Sequence, residues 1–406
     1  MSAVAPLRIT AFRRLFAART ITYLGNAIAP IALGFAVLDI TGSVTALGVV
    51  VAARSLANVA FVVIGGVIAD RLPRQIVLSG SELTAALTQG VTAALVLTGA
   101  ASMPALVILS VVNGAAAAVS FPAASALVPQ TVPARQLREA NALSRLGVNA
   151  ALIGGAAAGG ALVAVTSPGW GLAVDALTFA VAAALFAGVR TTVTRATDRN
   201  HTMLTDLRDG WRTFRSHTWI WIVVVQAAAI NAALAGGSGV LGPLIADATF
   251  GRAGWGIVMA LQSAGFVLGG IVALRWQPAR ALLWGVALTS VVAVPLVIMA
   301  LSPTLIATGL AFLAAGLAVE QFAVAWDVNL QHHIPAGLLA RVYAYDMLGS
   351  LAAIPLGQVL VGPTADRIGT TPTLIGAAMI VLIATALALA SRPVRQLSTE
   401  LIDTIG

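Results

Sequence analysis

The feature that most constrains this chain is a succession of apolar runs, each some twenty residues long, with almost no charge inside them. Reading from one turn signal to the next gives twelve runs: roughly 15–39, 44–69, 76–98, 104–128, 139–165, 170–189, 218–245, 252–274, 281–301, 304–327, 341–363 and 371–391. A helix needs about 20 apolar residues to cross a bilayer. The runs are separated by turn chemistry such as Thr41-Gly42-Ser43, Ser102-Met103-Pro104, Ser167-Pro168-Gly169 and Ser302-Pro303. A soluble bundle would need a polar face on each segment, and these have none. Charged residues make up 9% of the chain, against about 25% in a soluble domain. That excludes a secreted or disordered protein. The fold class expected is an all-α membrane protein with 12 transmembrane helices.

All 23 basic residues are arginine, a bias that, with abundant Ala, Gly and Val, suggests a GC-rich bacterial genome. The net charge of +8 does not point to nucleic acid, because the arginines are scattered rather than massed on one face. Their distribution instead sets an orientation. With the N-terminus cytoplasmic, nineteen arginines fall inside, only Arg252 and Arg367 outside, and Arg54 and Arg145 within or at the edge of spans. Both termini are then cytoplasmic, in a bacterial inner membrane. No removable signal peptide is evident, since Met1 to Arg19 runs into an apolar stretch too long for one. The chain has no cysteine, so disulfides, thiolate metal sites and cysteine nucleophiles are excluded.

One substantial polar segment, about 190–217, divides the runs into two groups of six. The expected organisation is an N-terminal six-helix half (1–189), a cytoplasmic linker (190–217) and a C-terminal six-helix half (218–406). Within the linker Leu204, Leu207, Trp211 and Phe214 recur at helical spacing between charged residues. This reads either as an amphipathic helix on the inner leaflet or as a solvated linker. Two six-span halves are the layout of a transporter built from repeats, with its substrate site near the midplane.

At the end of the second run stands Gly65-Gly66-Val67-Ile68-Ala69-Asp70-Arg71-Leu72-Pro73-Arg74. It resembles the loop 2–3 signature of the major facilitator superfamily, in the place where that family carries it. Phe121-Pro122-Ala123, Ala140-Asn141-Ala142-Leu143, Asp175-Ala176-Leu177-Thr178-Phe179 and Arg341-Val342-Tyr343-Ala344-Tyr345-Asp346 look like the group of macrolide efflux pumps and enterobactin exporters. The chain departs from those patterns in four places. Gln75 stands where a second basic residue is usual. Ser110 precedes Asn113-Gly114 where proton antiporters carry arginine. Alanine replaces proline in Gly155-Ala156-Ala157-Ala158-Gly159-Gly160, and Gly25 is followed by Asn26 rather than an acid.

The resemblance implies a conformational latch formed by Gly66, Asp70, Arg71 and Arg74 against the eleventh span, which begins near Arg341. Asp70 would sit at that span's positive N-terminal end; the alternative is an ordinary polar turn. Charges inside spans cost about 2.5–3.5 kcal/mol and usually face a cavity or a partner. Four qualify. Arg54 lies too deep to reach the interface and needs a carboxylate, a carbonyl or a substrate anion. Glu82 either reaches the inner interface or faces inward. Asp175 serves structure or transport. Glu320, with Asp327 two turns on, is the acid favoured for proton coupling; substrate contact and structural pairing stay open. Tyr23, Asn26, Asn113 and Asn149 are polar points in an otherwise apolar cavity suited to an amphipathic compound.

No phosphate loop, metal cluster or serine elbow occurs in the sequence, so neither an enzyme, a cofactor nor an ATP-driven pump is expected. The function expected is proton-antiport efflux of hydrophobic or amphipathic small molecules by a monomer in the lipid bilayer. Its partners are the substrate and protons, with no nucleic acid. The alternatives are export of a self-made siderophore or antibiotic, uptake of a nutrient by symport, and a scaffold.

Overall fold

A computed structural model describes residues 4–125, 127–189, 203–276 and 278–397. Within these, the side chains of 63–64, 66–71, 121–125, 134, 203–209, 336–337 and 340 lie outside the description. The described residues form helices throughout: α1 (Thr10–Thr41), α2 (Val44–Arg71), α3 (Arg74–Leu97), α4 (Met103–Ser125), α5 (Leu137–Val165), α6 (Pro168–Ala187) and α7 (Met203–Ser216). There follow α8 (Thr218–Gly237), α9 (Leu241–Ala248), α10 (Gly251–Arg275), α11 (Ala281–Leu288), α12 (Ala293–Leu301) and α13 (Leu305–His333). The chain continues through α14 (Ala336–Leu351), α15 (Ile354–Ile368), α16 (Thr370–Ala390) and α17 (Arg392–Gln396).

Eleven segments among the described residues are long and apolar enough to span a membrane. The third expected run is not one of them, although α3 is a continuous helix of 24 residues. Its shortfall is chemical. Ser81, Glu82, Thr88, Gln89 and Thr92 sit on its buried side, so its polar atoms are spent inside the protein. With α3 counted, the twelve expected spans are all helical.

Three expected spans are interrupted, and each interruption precedes a proline by about four residues. A proline ring clashes with the carbonyl four residues back and leaves it without its hydrogen bond. The seventh span breaks after Gly237, ahead of Pro243. The ninth tightens into a 3-10 turn at Thr289–Val292, ahead of Pro295. The eleventh breaks after Leu351, ahead of Pro355. Gly42, at φ 61, closes α1 with its N–H on the Leu38 carbonyl, a left-handed conformation that favours glycine.

The chain forms two compact units, and the division does not follow the sequence midpoint. The first comprises Met1–Arg195 and Pro243–Ala260; the second comprises Ala196–Gly242 and Leu261–Gly406. In the first unit α5 lies close on α1 because Gly155 faces the Leu24 carbonyl and Gly159 faces Ile28. Gly160 meets Gly256 backbone to backbone, which lets α10's first turns join this unit. Gly154 faces open space. In the second unit Gly265 and Gly269 lie against Leu313 and Leu317 of α13, the close approach that small residues permit.

The linker helix is present as α7, and part of its described apolar face packs on protein. Phe214 is buried; Trp211 and Phe214 stack on each other and meet the tilted ring of Tyr345 of α14. Gly210 admits the Arg341 side chain at the same contact. Trp211 stays half exposed, and Leu204 and Leu207, the rest of the expected apolar face, lie outside the described side chains.

Candidate functional site

Inside the first unit, α1, α2, α3, α4 and α6 bring a set of polar side chains together. Asp175 of α6 is fully buried, and its Oδ2 accepts a hydrogen bond from Gln89 Nε2 of α3 at 2.5 Å. Its Oδ1 is buried without a hydrogen-bond partner and lies against Gly25 of α1, where a methyl group would collide with it. Glu82 of α3 is 5% exposed and accepts from Thr22 Oγ1 of α1 at 3.0 Å. Of its two sequence readings, the reach to the inner interface is therefore replaced by burial within the unit.

Arg54 of α2 is partly buried and donates from Nε to Asn113 Oδ1 of α4 at 2.9 Å. Asn113 in turn donates from Nδ2 to Thr88 Oγ1 at 3.1 Å. Arg54 thus finds a carbonyl, one of the partners its depth demanded. It also lies near enough to Asp175 for their charges to interact, as Glu82 does. The cluster therefore holds two carboxyl groups and one guanidinium. With both acids ionised it carries one net negative charge, and one added proton makes it neutral. A site that gains or loses a single proton in this way can exchange that proton for a bound substrate.

Sequence reasoning singled out Arg54, Glu82, Asp175 and Asn113 but missed Thr22, Thr88 and Gln89. Gln89 had a legible signal: it lies seven residues after Glu82, on the same face of a helix. Thr22 and Thr88 had none, because a threonine inside an apolar helix usually bonds its own backbone. Tyr23 and Asn26 are half-buried on α1 beside the cluster, Asn26 one turn beyond Thr22. Asn149 is half-buried on α5 and does not enter the bonds just described.

Glu320 belongs to the second unit. It is half-buried on α13, where its side chain lies against Gly269 and Gly270 of α10. Asp327 is exposed and accepts a hydrogen bond from Tyr343 at 2.9 Å. A polar centre that the sequence did not single out is Asp346 of α14. It accepts from Trp326 Nε1 at 2.8 Å and from Ser350 Oγ at 3.0 Å.

The expected latch falls mostly outside the described side chains, which exclude Gly66, Asp70 and Arg71. Arg74 opens α3 and is half-buried. Arg341 is half-buried against α7. Its helix begins at Ala336, so Arg341 lies more than one turn inside α14 rather than at its start.

A second ionic feature lies within the first unit at the end of α1. Arg252 donates to both oxygens of Asp39, at 2.8 and 2.5 Å, and from Nε to Asp247 Oδ1 at 2.9 Å. Its guanidinium also lies 4.9 Å over the Phe35 ring. Exposed ion pairs are individually weak, but a guanidinium held by two carboxylates has a fixed geometry. Arg252→Gln is expected to loosen α10's first turns from α1. A cysteine at the neighbouring Ile40 should then react faster with a membrane-impermeant maleimide, by about 5-fold or more for a switch worth 1–3 kcal/mol. An unchanged rate would show that the glycine contact at Gly160 and Gly256 alone holds this end.

Among the described residues no group of His, Asp and Glu could hold a metal ion. Twelve helical spans among the described residues, α3 included, make this a multi-pass integral membrane protein, and the comparisons that follow identify it as a membrane transporter of the major facilitator superfamily. The sequence matches the family described as transmembrane secretion effector over residues 1–403, and the chain belongs to that family. No curated protein matches the sequence. Among solved structures it resembles the nucleoside transporter NupG (D323A mutant), with TM-score 0.79 and 14% identity, covering 94% of this chain and 99% of that one. It also resembles a bacterial homologue of the lysosomal transporter Spinster, at 0.75 and 16%, covering 96% and 98%. A bacterial homologue of the iron transporter ferroportin gives 0.72 and 16%, covering 95% and 99%. At these identities the likeness is one of fold. The narrower grouping with macrolide and enterobactin exporters rests on the sequence motifs alone.

Proposed function

We propose that this protein is a proton-driven exporter of hydrophobic or amphipathic small molecules, acting as a monomer in a bacterial inner membrane. The observation that carries the reading is that two buried carboxyls, Glu82 and Asp175, and one arginine, Arg54, share one cluster of hydrogen-bonded polar side chains. A substrate that binds near this cluster while a proton is absent, and leaves when a proton arrives, would be coupled to the proton gradient. The apolar helices around the cluster and its few neutral polar groups suit an amphipathic ligand better than a sugar or a nucleoside. Asp70, by the family resemblance, serves as the latch that sets which side of the membrane is open.

The reading moves the coupling role from Glu320 to the first unit. Asp175 is fully enclosed, whereas Glu320 is only half-buried. The test is transport into inverted membrane vesicles, with a pH-sensitive dye and a panel of fluorescent lipophilic compounds. Substrate uptake into such vesicles, accompanied by proton release, supports export. Transport that runs only the other way would replace it with uptake.

The proposed orientation is tested separately. The native chain lacks cysteine, so single cysteines give a clean signal. Cysteines at the exposed Ser102 and Ser302 should label from outside intact cells. Cysteines at the exposed Leu72 and Ser216 should label only after permeabilisation. Ser79 is a poorer inside reporter, because its hydroxyl is bound to the Ala183 carbonyl. Outside labelling at Ser216 would invert the arrangement.

A further inference from the structure

The second unit holds a cavity of about 400 Å³ that the transport reading does not use. It is formed by the end of α10, the turn after it, the start of α11 and the last third of α13. Its walls are apolar, with Ala273, Val324 and Val328 prominent, and no acidic side chain lines it. Gln321 and His332 mark two ends of the stretch of α13 that lines it. Eleven residues separate them, about 16 Å at 1.5 Å per residue. That is close to one leaflet's share of a hydrocarbon core about 30 Å thick. The amide of Gln321 is engaged by the Gly269 carbonyl at 2.5 Å.

The end near His332 has the marks of a membrane surface. Trp276 and Trp284 lie with ring centroids 6.2 Å apart and are 41% and 51% exposed, as tryptophans at headgroup level are. Arg275 and Arg280 are exposed on either side of the turn, each adjacent in sequence to residues that line the cavity. Basic groups at the mouth of a pocket between spans on the cytoplasmic side attract anionic lipid headgroups. A cationic amphipathic compound would be repelled there.

We infer that this groove is a binding site for an anionic phospholipid of the cytoplasmic leaflet. One acyl chain lies along α13 between Val328 and Gln321, and the phosphate sits against Arg275 and Arg280 beside His332. The site depends on the proposed orientation, which puts Arg275 and Arg280 on the inner side. It does not depend on the direction of transport or on proton coupling, so it stands or falls apart from them.

The test uses the full-length protein in phosphatidylcholine nanodiscs doped with a phosphatidylglycerol that carries a photoactivatable acyl chain. Cross-links mapped by mass spectrometry are expected on the peptides containing Ala281–Gly285 and Gln321–Val328. Unlabelled phosphatidylglycerol should compete and added phosphatidylcholine should not. Arg275→Gln with Arg280→Gln should lower the labelling by roughly tenfold or more, whereas lysine at both positions should retain it. Equal competition by phosphatidylcholine, or cross-links confined to other helices, would overturn the inference. So would full labelling of the glutamine variant. If the glutamine variant does not fold, the lipid competition on the unaltered protein decides.

Discussion

Asp175→Asn is expected to abolish gradient-driven transport while leaving a folded protein that still binds substrate. Asparagine keeps the shape of the side chain, and its amide oxygen can still accept the hydrogen bond from Gln89. What it removes is a proton-binding group at a position with no access to solvent. The cluster then has Glu82 as its only carboxyl opposite Arg54, and it is neutral without any proton. It no longer alternates between −1 and 0, and a proton on Glu82 would leave the Arg54 charge buried with no carboxylate to balance it. Uphill transport should therefore fall to the level of protein-free vesicles, while exchange of substrate down its own gradient continues. Glu82→Gln should behave in the same way, because it removes the other half of the pair. Glu320→Gln serves as the contrast and should retain uphill transport. If Glu320→Gln alone destroys coupling, the role returns to the second unit. If Asp175→Asn lowers the melting temperature and loses binding as well, Asp175 is a structural group.

Gly114→Val is expected to be the most damaging substitution in the first unit. Gly114 lies where α4 crosses α2, and any side-chain carbon there would sit on the Arg54 carbonyl group, whose carbon would be 2.9 Å away. Gly65 makes the reciprocal approach, to Ala118 at 2.8 Å and Val119 at 2.9 Å. Neither contact can be relieved by turning a flexible side chain, because the atoms met are backbone. The helices must separate, and overfilling a tight contact costs about 1–3 kcal/mol or more. Separation would also pull Arg54 from Asn113, the residue next to Gly114. A buried charge left without its partner costs about 3–5 kcal/mol. The variant should accumulate poorly in membranes, with a melting temperature well below that of the unaltered protein. Gly154→Val, at a glycine that faces open space, should be close to neutral. Equal yields and melting temperatures for the two variants would show that the α2–α4 crossing tolerates displacement.

Much of the architecture was legible in the order of residues because a bilayer demands apolar runs of a fixed length. The twelve helical spans, the linker helix and the bends at Pro295 and Pro355 all follow from rules that act within one segment. Packing between segments was less legible. The third span reads as weakly apolar, and only its neighbours show why: Thr22, Asn113 and Asp175 receive its polar side chains. Arg54 and Asn113 lie 59 residues apart, and no local pattern links them. Glu320 was favoured on depth alone, yet depth along a helix does not say which face an acid occupies. For α7 the heptad-like spacing identified an apolar face but not its occupant, which is Tyr345 on a helix more than a hundred residues later. Arg252 was classed as an outside charge, and its embrace by Asp39 and Asp247 appears only when α1 and α10 are placed together.

The central claim, that proton movement and substrate export are coupled through the carboxyl pair of the first unit, is tested most directly in sealed vesicles of the purified protein. An imposed pH gradient is read with a dye while a fluorescent lipophilic substrate is added, for the unaltered protein, Asp175→Asn and Glu82→Gln. The account predicts that substrate transport dissipates the gradient in the unaltered protein and that neither variant moves protons or concentrates substrate. Undiminished uphill transport in both variants, or in the unaltered protein after a protonophore has collapsed the gradient, would contradict it.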